Sequence, residues 1–213
     1  MERDLRATPH YQQTETFFRT LLEPGFGRPS SFADPEPAPD GREVAVTGFV
    51  LDALEGRPHG RIVLAEVGGP PARTITNGPN DDVGPRWSPD GSRLTFASDR
   101  QRAGRFQLYE LATDGLGEAR LVAEVPGVVE HHRWSPDGSR ILMVVAGERA
   151  EQADALGSGT LGAAAADEPA WLPDVETEDE VGEWRSLWVL DVATGEARSA
   201  RRVGSKHAYG DRS

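Results

Sequence analysis

Seven residues, W-S-P-D-G-S-R, occur twice in this chain of 213 residues, at Trp87 to Arg93 and again at Trp134 to Arg140, 47 positions apart. Identity of that length at a period of about 40 to 50 residues marks stacked copies of one supersecondary unit, either propeller blades or helical arrays. The repeated residues choose the propeller. Pro89 and Pro136 preset φ near −65°, Asp90 and Asp137 can hydrogen-bond nearby backbone, and Gly91 and Gly138 accept positive φ without steric cost. Each copy is therefore a tight strand-to-strand turn. It runs into a short apolar stretch rich in strand formers, Leu94-Thr95-Phe96-Ala97 or Ile141-Leu142-Met143-Val144-Val145.

A weaker third copy lies upstream, where Pro39-Asp40-Gly41 precedes Val44-Ala45-Val46 and has lost the Trp and the Ser. Later strands recur at 61–64, 107–111 and 186–190, and fourth strands are expected at 72–76, 119–125 and 197–203. Four strands per blade is the propeller rule. The expected fold is all-β, a partial propeller of about three four-stranded blades with a short N-terminal helix. The expected organisation is a lead-in over 1–33, blade one over 34–76, blade two over 77–126, blade three over 127–203 and an irregular tail over 204–213. The same spacing places the next Trp at 213 or 214, so the expectation is either that further chain completes the ring or that the three blades pair with something else. Such an arc has two raw faces, and closure is what removes exposed sheet edges.

The helix is expected from about Pro9 to Leu22. Thr8 before Pro9 reads as an N-cap with proline at the first helical position, and Tyr11, Phe17, Phe18, Leu21 and Leu22 share a stripe. Covering a blade edge is its expected role. Glycine (24) and proline (16) are abundant enough for a turn-rich β chain. Cysteine is absent, which excludes disulfides and thiolate chemistry. A net charge of −12 argues against nucleic acid and against anionic membrane surfaces. No stretch approaches the roughly 18 apolar residues of a membrane span. The residues from Met1 to Arg6 are followed by no apolar run of a secretory signal, so a cytoplasmic protein is expected.

Nearly the whole charge imbalance lies in one segment. Between Gly147 and Glu183 eleven acids face one base, Arg149, where blade two has only about ten residues between its second and third strands. This is an acidic insertion over 147–183, and charge blocks of this kind are mostly solvated. The other reading of the insertion is a recognition patch for a cationic group.

Catalytic motifs are missing. A serine hydrolase of α/β type needs G-x-S-x-G, with the serine on a strained strand-to-helix turn, and no such string occurs. His131 and His132 are adjacent, so on a strand they point to opposite faces and do not readily chelate one ion. H-E-x-x-H, phosphate loops and calcium loops are absent as well, and no metal or cofactor is expected.

The W-S-P-D-G-S-R turns, with the L-Y-E-L and L-W-V-L-D-V-A-T-G strands, resemble the WD40-like repeats shared by TolB-type proteins and the prolyl oligopeptidase family of serine peptidases. The opening Arg3 to Pro9, the Phe17-Phe18-Arg19 helix, Ala33-Asp34-Pro35 and the Ala170 to Val175 segment before Glu183-Trp184-Arg185 resemble bacterial peptidases of the dipeptidyl or acylaminoacyl kind. In that family a propeller sits over a C-terminal hydrolase domain carrying Ser, Asp and His, filters substrates by size and sometimes holds the peptide amine with acidic residues. The resemblance thus implies the substrate-gating propeller portion of a serine peptidase, inactive alone, with peptide as the substrate of the missing hydrolase domain. It implies an amine-binding role for Glu178, Asp179 or Glu180, and no triad position. A TolB-like interaction module is the alternative. Open blade edges also make self-association an expectation.

Overall fold

The computed structural model describes residues 5–54, 56–113, 117–147 and 185–202. Twelve strands form three antiparallel four-stranded sheets, each built from consecutive chain. The first holds β1 (Pro29–Pro37), β2 (Glu43–Val50), β3 (His59–Glu66) and β4 (Arg73–Thr74). The second holds β5 (Asp82–Trp87), β6 (Arg93–Ser98), β7 (Gln107–Ala112) and β8 (Arg120–Ala123). The third holds β9 (Val128–Trp134), β10 (Arg140–Ala146), β11 (Ser186–Asp191) and β12 (Ala197–Arg202). This is a mostly β chain with one α-helix among the described residues, arranged as three propeller blades. The first sheet starts at Pro29 and not at 34, because β2 runs on to Val50 and pairs Phe32 with Gly48 and Pro29 with Val50.

Alternation along the second strand of each sheet decides which neighbour each side chain meets. On β6, Leu94 and Phe96 face the first sheet and pack with Ile62, Leu64, Trp87 and Tyr109. The opposite face of the second sheet carries Leu108 and Ala123, which pack with Val129, Ile141, Met143 and Leu190 from the third. Burying each large side chain contributes roughly 1.5–3 kcal/mol, so the two seams between sheets are the core. Register assigns Val44, Val46 and Phe32 to the outer face of the first sheet. It assigns Leu142, Val144, Leu187 and Val189 to that of the third. Phe32 and Leu142 remain 57% and 43% exposed, because no sheet of the described chain covers those faces.

The repeated turns are built alike. Asp90 Oδ1 accepts from Ser88 Oγ at 2.6 Å and from the Ser92 backbone N–H at 3.1 Å, and Asp137 does the same with Ser135 and Ser139. These bonds favour the charged form and hold both carboxyls at about 2. The turns also stack. A Cβ on Gly91 would lie 3.7 Å from Pro39 Cδ, and one on Gly138 would lie 3.6 Å from Pro89 Cδ. Each turn's glycine thus sits over the proline of the turn before it.

The tryptophans connect blades. Trp87 Nε1 donates to Glu36 O on the first sheet at 3.1 Å, and Trp134 Nε1 donates to Thr95 Oγ1 on the second at 2.9 Å. Arg93, the last residue of one copy of the repeat, places its guanidinium 4.9 Å from the centre of the Trp134 ring, the first residue of the next. The first sheet has Pro37 where the others have Trp.

The helix α1 (Pro9–Leu22) forms with Thr8 as N-cap, accepting from the Tyr11 backbone N–H at 3.4 Å, and Pro9 in the first turn. It does not cover a blade edge. None of its residues is buried, and Tyr11, Phe17, Phe18 and Leu21 are exposed, with Phe17 and Phe18 packed edge to face on each other. An amphipathic stripe specifies that a helix has something to bury, not what it meets. Among the described residues no helix is long and apolar enough to cross a membrane.

Two glycine substitutions separate conformational cost from collision. Gly138 has φ of 70° with ordinary contact to Pro89, so Gly138→Ala is expected to cost about 1–2 kcal/mol from the left-handed backbone alone. Gly127 has φ of 125°, and a Cβ there would lie 2.2 Å from the Ala146 carbonyl oxygen. Gly127→Ala is expected to cost roughly twice as much. Urea denaturation midpoints check both, and equal losses would contradict this account of the turn.

Candidate functional site

The first strands of the three sheets converge. Arg133 on β9 donates through Nη1 to Glu36 Oε2 on β1 at 3.0 Å, across the whole intervening sheet. Glu36, Arg86 and Arg133 occupy one position in the three copies, each immediately before the Trp or the Pro37 that replaces it. They form a charged layer at the centre of the arc. Arg86 Nη1 lies 3.7 Å from the same Glu36 Oε2 and donates to Pro85 O at 2.6 Å. Side-chain exposure rises from 13% at Arg86 through 23% at Glu36 to 63% at Arg133.

Arg86 is incompletely satisfied. Its Nε is buried and has no hydrogen-bond partner. Burial lowers its pKa first and the charge of Arg133 adds to that, while Glu36 and Asp34 act the other way. Asp34 has φ of 50°, the one positive φ outside glycine among the described residues. It sits where the β1–β2 register shifts between Ala33 and Glu36, and its Oδ2 accepts from Thr47 Oγ1 at 3.3 Å. Thr47 Oγ1 in turn accepts from the Gly84 backbone N–H at 2.9 Å, so the carboxylate is tied into the seam with the second sheet.

Behind Arg86 lies His132. Its Nε2 is 3.0 Å from Thr95 Oγ1, which also donates to Arg86 O at 3.1 Å and accepts the Trp134 indole N–H. A hydroxyl beside an imidazole suggests a nucleophile and its base, but Thr95 and His132 are buried and the hydroxyl is fully engaged in bracing the blades. Burial drives the imidazole down to about 3, with the charge of Arg86 adding to it, so His132 is neutral. His131, its neighbour on the strand, is exposed on the other face.

A second group of charges lies at the opposite end of the strands from the repeated turns. Arg57 Nη2 contacts Asp81 Oδ2 at 2.6 Å and Arg100 Nη2 contacts Asp82 Oδ1 at 2.9 Å. Asp99 accepts from the backbone N–H groups of Asp81 and Gly104, each at 2.7 Å, and burial raises its pKa. Asp81 and Asp99 tie backbone together, whereas Asp82 pairs with Arg100 and its buried Oδ2 has no hydrogen-bond partner. Nearer the centre, Arg185 makes a two-point contact with Glu130 on β9, Nε to Oε2 at 2.7 Å and Nη2 to Oε1 at 2.8 Å. That pins the chain where it returns from the acidic insertion. Glu178, Asp179 and Glu180 lie outside the described residues, as do most of the insertion and the segment from 203 onward.

Sequence reading found the turns Pro39-Asp40-Gly41, Trp87-Ser88-Pro89-Asp90-Gly91 and Trp134-Ser135-Pro136-Asp137-Gly138, and it missed the central layer. The available signal was the arginine before each tryptophan, Arg86 and Arg133, aligned with Glu36 by the weaker copy.

A family model described as the TolB beta propeller domain matches residues 28–176. The uncharacterized peptidase YuxL of Bacillus subtilis is 36% identical over 96 residues, which is 45% of this chain and 14% of that relative. TolB of Acinetobacter baumannii superposes with a TM-score of 0.53 at 18% identity, over 85% of this chain and 34% of its own. The acylaminoacyl peptidase of Pyrococcus horikoshii superposes with a TM-score of 0.52 at 19% identity, over 83% of this chain and 25% of its own. The two superpositions show the fold, and the chain spans only a minor part of each of these relatives.

A buried neutral histidine makes stability depend on pH. The folded pKa of His132 is depressed to about 3 from 6.5, so only the unfolded chain takes the proton as pH falls through that window. The contribution is intact above about 6.5 and is lost toward 3, at about 1.4 kcal/mol per pH unit. His132→Gln should remove this component of the slope, measured by urea denaturation between pH 7 and about 5, above the range where the unfolded chain's Asp90 and Asp137 begin to take up protons. An unchanged slope would count against a buried neutral imidazole.

Proposed function

The chain belongs to the TolB β-propeller domain family, and from that premise we propose that it is the substrate-gating propeller portion of a serine peptidase of the prolyl oligopeptidase family. The observation that carries this reading is the 36% identity with a Bacillus subtilis peptidase over 96 residues of the propeller region. The fold shared with an acylaminoacyl peptidase is consistent with it. Chemistry agrees. The described residues offer braced turns and a charged centre, and the only hydroxyl–imidazole contact, Thr95 with His132, is shut off from solvent. Cleavage then belongs to a hydrolase domain with its own nucleophile. The propeller's part is to admit peptides and exclude folded chains, since a narrow ring of blades passes only extended segments.

Within this reading, Glu178, Asp179 and Glu180 remain the proposed patch for a peptide amine. The support is their chemistry alone, because carboxylates pair with ammonium groups. The uncovered outer faces around Phe32 and Leu142 are where further blades pack, or where isolated chains meet each other.

Two measurements test these points. The purified chain should release no anilide from alanyl, prolyl or acetylalanyl p-nitroanilides. The genomic sequence around its reading frame should encode G-x-S-x-G, in the same or a shifted frame. More S-P-D-G repeats there without that motif would replace the peptidase by a TolB-like interaction module. Separately, sedimentation should show self-association at micromolar concentration, and a sharply melting monomer would remove that part of the proposal.

A further inference from the structure

We propose that Arg86 and Arg133, flanking Glu36 at the centre of the arc, form a binding site for a carboxylate, supplied by the C-terminus or an acidic side chain of a peptide. The peptide as its source rests on the gating reading, but the carboxylate chemistry does not.

Donors outnumber acceptors in this layer. Two guanidiniums share one oxygen, Glu36 Oε2, at 3.0 Å from Arg133 and 3.7 Å from Arg86. The second is too long for a hydrogen bond, and apart from the Pro85 carbonyl Arg86 has no acceptor in these contacts, with Nε left unpartnered. Arg133 is 63% exposed and uses one nitrogen on Glu36. The guanidinium fork matches a two-oxygen anion, and a ligand placed between the two arginines relieves their mutual repulsion.

The surrounding charges select the kind of anion. Asp34 faces Arg86 as well, but its carboxylate is held by Thr47 against the wall. With Asp34 and Glu36 both in the wall and a net charge of −12 on the chain, a dianion such as phosphate meets about twice the repulsion of a single carboxylate. Asp34 also carries the positive φ, at the bulge of β1. Backbone strain and bulges concentrate where a strand is re-aimed for function.

The experiment is calorimetric titration of the purified full chain with three peptides: acetyl-Ala-Ala-Ala acid, its C-terminal amide, and acetyl-Ala-Glu-Ala amide. The acid is expected to bind about tenfold more tightly than its amide, the size of one charge-assisted hydrogen bond. The glutamate peptide separates the sources: binding like the acid means any carboxylate is accepted, and binding like the amide means the chain terminus is required. Arg133→Gln, at an exposed position, should abolish the preference. Glu36→Gln should tighten acid binding several-fold by removing the internal competitor, and Arg198→Gln on the outer strand should change nothing. Equal binding of acid and amide, binding of none of the three, or a preference that survives Arg133→Gln overturns the site. None of those results bears on whether a hydrolase motif is encoded nearby, so this proposal and the peptidase reading fail separately.

Discussion

A four-stranded sheet with apolar side chains on both faces is not stable as a free object, and every other property of this chain follows from how those faces are covered. The middle sheet is covered on both sides, by Ile62 and Leu64 on one and by Ile141 and Met143 on the other. The outer two are covered on one. Face-to-face packing of this kind is nearly non-directional, because the hydrophobic effect rewards area and not orientation. Direction comes from specific contacts at the seams: the two tryptophan N–H bonds, the close fit of glycine over proline between turns and Arg93 over Trp134. They fix where one sheet sits on the next, which in turn brings three first strands to a common centre.

That centre matters because it collects residues far apart in the chain. Glu36 and Arg133 are 97 positions apart and yet share a hydrogen bond. Low exposure at Arg86 strengthens every charge interaction in the layer, since the field of a half-buried guanidinium is poorly screened. The same crowding keeps His132 neutral and commits Thr95 to bracing. The described residues therefore hold and orient charge.

Turns and strands were legible in the sequence because they are local. Proline, aspartate and glycine at fixed offsets dictate a turn, and the runs after them alternate sides as β6 and β10 do. The helix was legible for the same reason, with Thr8 and Pro9 marking its start. Its surroundings were not, because burial is decided by chain distant in sequence. The central layer was only half legible. Arg86 and Arg133 stand out before their tryptophans, but Glu36 becomes their partner only once Pro37 is aligned with Trp87, where the motif has decayed. Asp34's backbone strain leaves no compositional trace at all. Charge density marked the whole insertion, the resemblance pointed to Glu178, Asp179 and Glu180 within it, and neither carries geometry.

One detail of the seams has a temporal meaning. In both tryptophan bonds the donor belongs to the later sheet and the acceptor to the earlier one: Trp87 reaches back to Glu36, and Trp134 reaches back to Thr95. Neither tryptophan waits for an acceptor in chain that follows it. As the polypeptide leaves the ribosome, each emerging blade therefore finds its anchoring acceptor already in place, and the seams close in the order in which the codons are read.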